Sequence, residues 1–170
     1  SQGPNVNRPT VTQLRYNGTI QDVNDRLSAG EDVFINAANT GWKPSDLSGS
    51  NYQVVLQPNQ TLWIEGDMMA HHNNAANNNI TFVGDSRCDL TVTGTFTTNN
   101  WGNAAINFPM TVGALVIEDE GSHSVTLNEE VTITGTNDAS DELVVKSGAV
   151  LTISEDMTIY GGTSSATTSG

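Results

Sequence analysis

Val125-Thr-Leu-Asn-Glu-Glu-Val131-Thr-Ile-Thr-Gly135 is answered by Leu151-Thr-Ile-Ser-Glu-Asp-Met157-Thr-Ile-Tyr-Gly161, class for class, 26 residues further on (151 − 125). Each copy reads as a short alternating strand, an acidic corner, and a second alternating strand closed by glycine. A period of this size marks a stacked-repeat architecture, in which each unit buries its apolar side against its neighbours. A strand–corner–strand unit fits one turn of a parallel β-solenoid. The same apolar-Thr-apolar triplet recurs upstream, in Ile80-Thr-Phe82 and Leu90-Thr-Val92. Alternation along a strand sends the apolar residues inward and the threonines outward.

Working outward from the echo, short strands are predicted over 54–56, 61–65, 80–83, 90–96, 110–112, 115–118, 143–146, 150–153 and 157–160, with glycines punctuating their ends. Met68–Asn79 reads as a long excursion between strands. One helix is predicted, over 19–29. Thr19 can cap it, with Asp22 three residues on, Ile20, Val23 and Leu27 form one apolar stripe, and Gly30 supplies the stop. Glu31–Asn36 then reads as a short strand. The chain divides into an extended arm (1–15), a capping helix with first strand and docking loop (16–52), a β body (53–162) and a flexible tail (163–170). The fold class is all-β: a short parallel β-helix (β-solenoid), right-handed, with an N-terminal capping helix. The alternative, an antiparallel β-sandwich, wants Asn-Gly or Asp-Gly hairpin signals, and after residue 50 there are none.

The 170 residues suit a single domain, and only 15% are charged, with a net charge of −13. So acidic a chain argues against nucleic acid, which needs clustered Lys and Arg, and against anionic membranes. The charge is uneven. Residues 1–50 carry Arg8, Arg15, Arg26 and Lys43 against five carboxylates, for −1, which leaves −12 on residues 51–170 with Arg87 and Lys146 as their cations. The nearly neutral first third is therefore the part expected to dock. One cysteine, Cys88, excludes an internal disulfide. The sequence contains no apolar run of membrane-spanning length and no basic-then-apolar leader pattern.

Thr19-Ile-Gln-Asp-Val-Asn-Asp-Arg-Leu-Ser-Ala-Gly-Glu-Asp-Val-Phe-Ile-Asn36 resembles the entry segment of pectate-lyase-like right-handed β-helices. In that family an Ile-Gln-containing helix caps the solenoid and a glycine leads into a first Val-x-Ile strand. Asn79-Ile-Thr-Phe-Val-Gly84 is similar to the family's Ile-x-Ile-x-Gly strands. The family includes polysaccharide lyases, glycosidases and phage tailspikes. No catalytic residue of the family can be placed on this chain, so the resemblance implies a fold rather than an activity.

The carboxylates Glu118-Asp-Glu120, Glu129-Glu130, Asp138, Asp141-Glu142 and Glu155-Asp156 sit at corners. Stacked, they could form a Ca2+ site, since hard cations take oxygen ligands, or a glycosidase pair. A solvated face that keeps the body soluble is the favoured reading, and no cofactor is expected. His71-His72 would point to opposite sides of a strand, which disfavours a metal there. Arg87 beside Cys88 is expected to lower the thiol pKa modestly, without a partner for catalysis. Arg8, Arg15, Trp42, Trp63 and Trp101 are the expected partner-binding residues, with Trp63 on an outer face; aromatics and arginines are enriched at interfaces. The expectation is a non-enzymatic, homo-oligomeric virion protein that docks on a major capsid protein by its N-terminal third. The alternatives are a glycan-binding or depolymerising tailspike or fibre segment and a cell-surface adhesin repeat.

Overall fold

The computed structural model describes residues 14–16, 20–36, 52–71, 80–99, 104–118, 124–135, 142–161 and 164–168. Its elements are β1 (Leu14–Tyr16), α1 (Ile20–Ser28), β2 (Val33–Asn36), β3 (Tyr52–Val55), β4 (Thr61–Glu65), β5 (Met68–His71), β6 (Ile80–Val83), β7 (Asp89–Asn99), β8 (Ala104–Ile106), β9 (Met110–Ile117), β10 (Ser124–Leu127), β11 (Val131–Ile133), β12 (Leu143–Val145), β13 (Val150–Ile153), β14 (Met157–Gly161) and β15 (Ser164–Thr168).

The internal echo is a stacking register. Val125, Thr126 and Leu127 pair with Leu151, Thr152 and Ile153, and Val131, Thr132 and Ile133 pair with Met157, Thr158 and Ile159, both in parallel. The larger sheet runs β1-β2-β4-β7-β9-β11-β14-β15, and the smaller runs β13-β10-β8. Among the described residues the strand pairs are parallel except β5–β6 and β14–β15. The antiparallel sandwich is thereby set aside. The reason is connective: a parallel neighbour needs a long return path, and ten or more residues separate the two strands of each parallel pair.

Two halves of the long strand β7 serve different neighbours. Its first half pairs with β4 and its second with β5, across a register break between Val92 and Thr95. At that bend the Gly94 N–H donates to the Gly66 carbonyl (2.9 Å), and Asp67 Oδ1 accepts from the Thr95 N–H (2.8 Å). A Cβ on Gly94 would come within 2.7 Å of the Gly66 carbonyl oxygen, so the corner demands glycine. Farther along the stack the Gly135 N–H bonds the Gly113 carbonyl (2.8 Å), repeating the device.

The inward residues form one core that includes Leu62, Ile64, Leu90, Val92, Val112 and Ile133 from the larger sheet and Ile106, Val125 and Leu127 from the smaller. The Phe82 and Phe96 rings meet inside it at 5.8 Å. Helix α1 adds Ile20, Val23 and Leu27, the predicted stripe. Its stop is a Schellman motif: Glu31 N–H bonds the Arg26 carbonyl and Gly30 N–H the Leu27 carbonyl, with Gly30 at φ 89°. Thr19, the expected cap, lies outside the described residues.

Three expectations need correction. Met68–His71, read as part of an excursion, is strand β5, with Met68 and Ala70 buried and Met69 exposed. Ala104–Ile106 is a strand with no signal in the sequence, because alanine favours strands poorly; pairing with β10 imposes it. The tail, expected to be flexible, holds β15, where Ser and Thr residues pair antiparallel with the edge of β14.

Candidate functional site

The outward faces are expected to carry function, and one column of the larger sheet stands out. Register places Arg15, Phe34, Trp63, Thr91, Thr111, Thr132 and Thr158 side by side on successive strands. From Phe34 onward these positions alternate with the core residues, so the side chains of Phe34, Trp63 and the threonines lie on the opposite face of the sheet. Phe34 is 4% and Trp63 5% exposed although neither belongs to the core cluster. The Trp63 indole N–H is buried and finds no acceptor among the described residues. Thr91 is buried, while Thr111, Thr132 and Thr158 are half-buried. The outer face therefore changes from aromatic to hydroxyl along the stack.

Trp63 is thus on the outer side, as alternation predicts, but it is covered rather than presented to solvent. Of Arg15 only the backbone is described, in β1 beside Phe34. Arg8, Trp42 and Trp101 lie outside the described residues, so the five expected contacts are not shown to converge.

Next to the aromatic column runs a polar one. The Thr61 N–H donates to Asp32 Oδ1 (2.8 Å), and Thr61 Oγ1 donates to Asp89 Oδ2 (3.2 Å). Burial pushes the Asp89 carboxyl above the ordinary carboxylate range; the Thr61 hydroxyl opposes that and the nearby Asp32 charge adds to it. At the acidic corners the backbones stack: Glu130 carbonyl accepts from Met110 N–H and Asp156 carbonyl from Val131 N–H, both at 3.2 Å. Their side chains face solvent, with Glu130, Glu155 and Asp156 exposed and Glu129 half-buried. Among the described residues no three His, Cys, Asp or Glu side chains gather as metal ligands would. Asp119, Glu120, Asp138, Asp141, His72 and His123 lie outside the described residues, as does the side chain of His71.

Cys88 departs from expectation. It is buried, its Sγ accepts from the Asp85 N–H at 3.4 Å, and burial pushes its thiol pKa up instead of Arg87 drawing it down. Arg87 turns instead to Asp85, with Nη2 to Oδ2 at 2.6 Å and Nε to Oδ1 at 3.2 Å. That side-chain contact, with the Arg87 amide on Oδ1, holds the Asp85 carboxyl down to about 2. The cluster is a surface turn clamp.

Sequence reasoning missed Asn24. Its carboxamide donates to the Gln53 carbonyl (2.9 Å) and accepts from the Val55 N–H (2.8 Å), taking the place of a neighbouring strand along β3. The available signal was an amide residue on the polar flank of a short helix, which many solvated helices share. Comparison with protein-family models, with curated proteins and with solved structures finds no match. Among the described residues no helix is long and apolar enough to cross a membrane.

Proposed function

We propose that the two sheets are walls of a right-handed β-solenoid of the kind the entry segment resembles, and that the protein is a non-enzymatic structural component of a virion. In this reading it decorates a capsid, bound to the major capsid protein through its N-terminal third, with the acidic body projecting outward. The observation that supports this is the division of the chain. Residues 1–50 are nearly neutral, whereas residues 51–170 carry most of the net charge of −13 and, in the later layers, threonines on the outer face. A partner surface would meet little electrostatic resistance at the first part and strong solvation at the second. Deletion of residues 1–15 tests the reading. Purified particles should lose the truncated protein while its circular dichroism stays that of the full chain; normal decoration by folded, truncated protein would refute docking through the arm.

A carbohydrate-binding fibre segment is the second reading, favoured by the family resemblance. The burial of Trp63 removes that indole as a sugar-stacking platform, leaving Trp101. Glycan-array binding that disappears in Trp101→Ala would support it over decoration.

A further inference from the structure

The two ends of the strand stack are finished differently. At the N-terminal end α1 lies against β2 and β3, and Asn24 satisfies the backbone of β3. At the other end β15 extends the larger sheet past β14, and Met157 in β14 is 1% exposed. No such strand covers β12 or β13: among the described residues β12 pairs with β9 alone and β13 with β10 alone. The difference shows in exposure. Ile117 is fully buried, whereas Val145, its register partner in β12, is 41% exposed. Leu151 and Ile153 are half-buried, whereas their partners Val125 and Leu127 are buried. Val150 is 53% exposed. The Ser154 N–H reaches back to the Leu127 carbonyl (2.9 Å), so alternation turns the N–H and C=O of Leu151 and Ile153 toward the open side. Among the described residues an apolar layer and an unpaired strand edge, the usual template for strand addition, coincide at this end.

We propose that this edge joins two copies of the chain tail to tail about a twofold axis, β13 of each pairing antiparallel with β13 of the other. The charges favour a second copy over an unrelated strand. Lys146 lies just before β13 and Glu155 and Asp156 just after it, and all three side chains are exposed. Lys146 makes no ion pair among the described residues. Antiparallel pairing brings the start of one β13 to the end of the other, so each Lys146 corner meets a Glu155–Asp156 corner, twice by symmetry. Lys146 is one of two cations in residues 51–170, which makes an acidic strand from elsewhere a poor match for both corners at once. Head-to-tail addition would have to displace α1 from the opposite end. The twofold arrangement uses two open edges and closes on itself.

Sedimentation velocity on the full chain, from about 1 to about 100 µM, tests the proposal over the range where modest interfaces associate. The expected result is a monomer–dimer equilibrium. Lys146→Glu and Glu155→Lys should each weaken it at least about tenfold, because each sets like charges together at both symmetric contacts. Mixing the two variants should restore association, since the carboxylate introduced at position 146 of one then meets the ammonium introduced at position 155 of the other. Circular dichroism and melting on each variant confirm that these exposed substitutions leave the fold intact. A monomer throughout the range, a dimer indifferent to both substitutions, or a mixture that stays monomeric would each overturn the proposal.

Discussion

The N-terminal end of the stack is closed by a helix and the C-terminal end is closed over one strand. At the first, Ile20, Val23 and Leu27 lie on the core, and the Asn24 amide substitutes for a missing strand. At the second, β15 adds backbone partners for β14, while among the described residues β12 and β13 keep a free side. A stack of parallel strands is stable in its middle because every layer has two neighbours, so the finishing of its ends decides whether it remains monomeric. The helix end solves the apolar and the hydrogen-bonding problem together. The strand end solves both locally and leaves the rest for a partner.

The largest expected effect compares equivalent residues in the middle of the stack and in its last layer. Ile133 is fully buried, whereas Ile159, in register with it on β14, is partly buried. Ile133→Ala should cost about 2–5 kcal/mol, as truncations inside a packed core do, and Ile159→Ala about half as much. Urea unfolding of the two variants measures the difference. Equal costs would mean that the last layer is as well covered as the interior.

A smaller effect is expected at the helix end. Asn24→Ala leaves the Val55 N–H and the Gln53 carbonyl without their side-chain partner. Both groups lie near solvent, so water recovers part of the loss and the cost should be about 1 kcal/mol. Hydrogen exchange at Val55 should accelerate while amides of β11 stay protected. Unchanged exchange would show that Asn24 is not what closes that edge.

The smallest effect is electrostatic and carries a sign. Burial raises the pKa of Asp89, so ionising it opposes folding, and the stability its neutral form permits is lost as pH rises through the raised value. Asp89→Asn keeps an oxygen for the Thr61 hydroxyl and should raise the melting temperature near neutral pH, with a benefit that shrinks in acid. Asp85 has the opposite sign: its pKa is lowered from 3.8 to about 2, so its contribution is present above the ordinary value and lost as pH falls toward 2. A melting profile for Asp89→Asn parallel to that of the parent chain would contradict the burial of that carboxylate.

Much of the fold was legible because apolar alternation and the echo are local. Val125-Thr-Leu127 and Leu151-Thr-Ile153 could be aligned on paper, and the structure stacks them in that alignment. The helix was legible for the same reason, through Ile20, Val23 and Leu27. The strands β8 and β15 were not, since Ala-Ala-Ile and Ser-Ser-Ala-Thr-Thr have no period of their own and take strand form from the neighbour they complete. The site was less legible still. Trp63 could be assigned to the outer face by alternation, but its burial depends on what lies over that face, and Asn24 depends on a strand 29 residues away from Asn24 in the chain.

By itself the sequence determined the period, the inward and outward alternation, the single helix and the uneven charge, because these are properties of residues within a few positions of each other or of a repeat. The tertiary structure decided that the strands stack in parallel, that Phe34 and Trp63 head a column of threonines, and that one end has a helix while the other, among the described residues, keeps an open edge. Those features arise where distant segments meet. The echo of 125–135 in 151–161 states how one layer sits on the next, but only the pairing of the assembled sheets shows that β13 ends its sheet among the described residues.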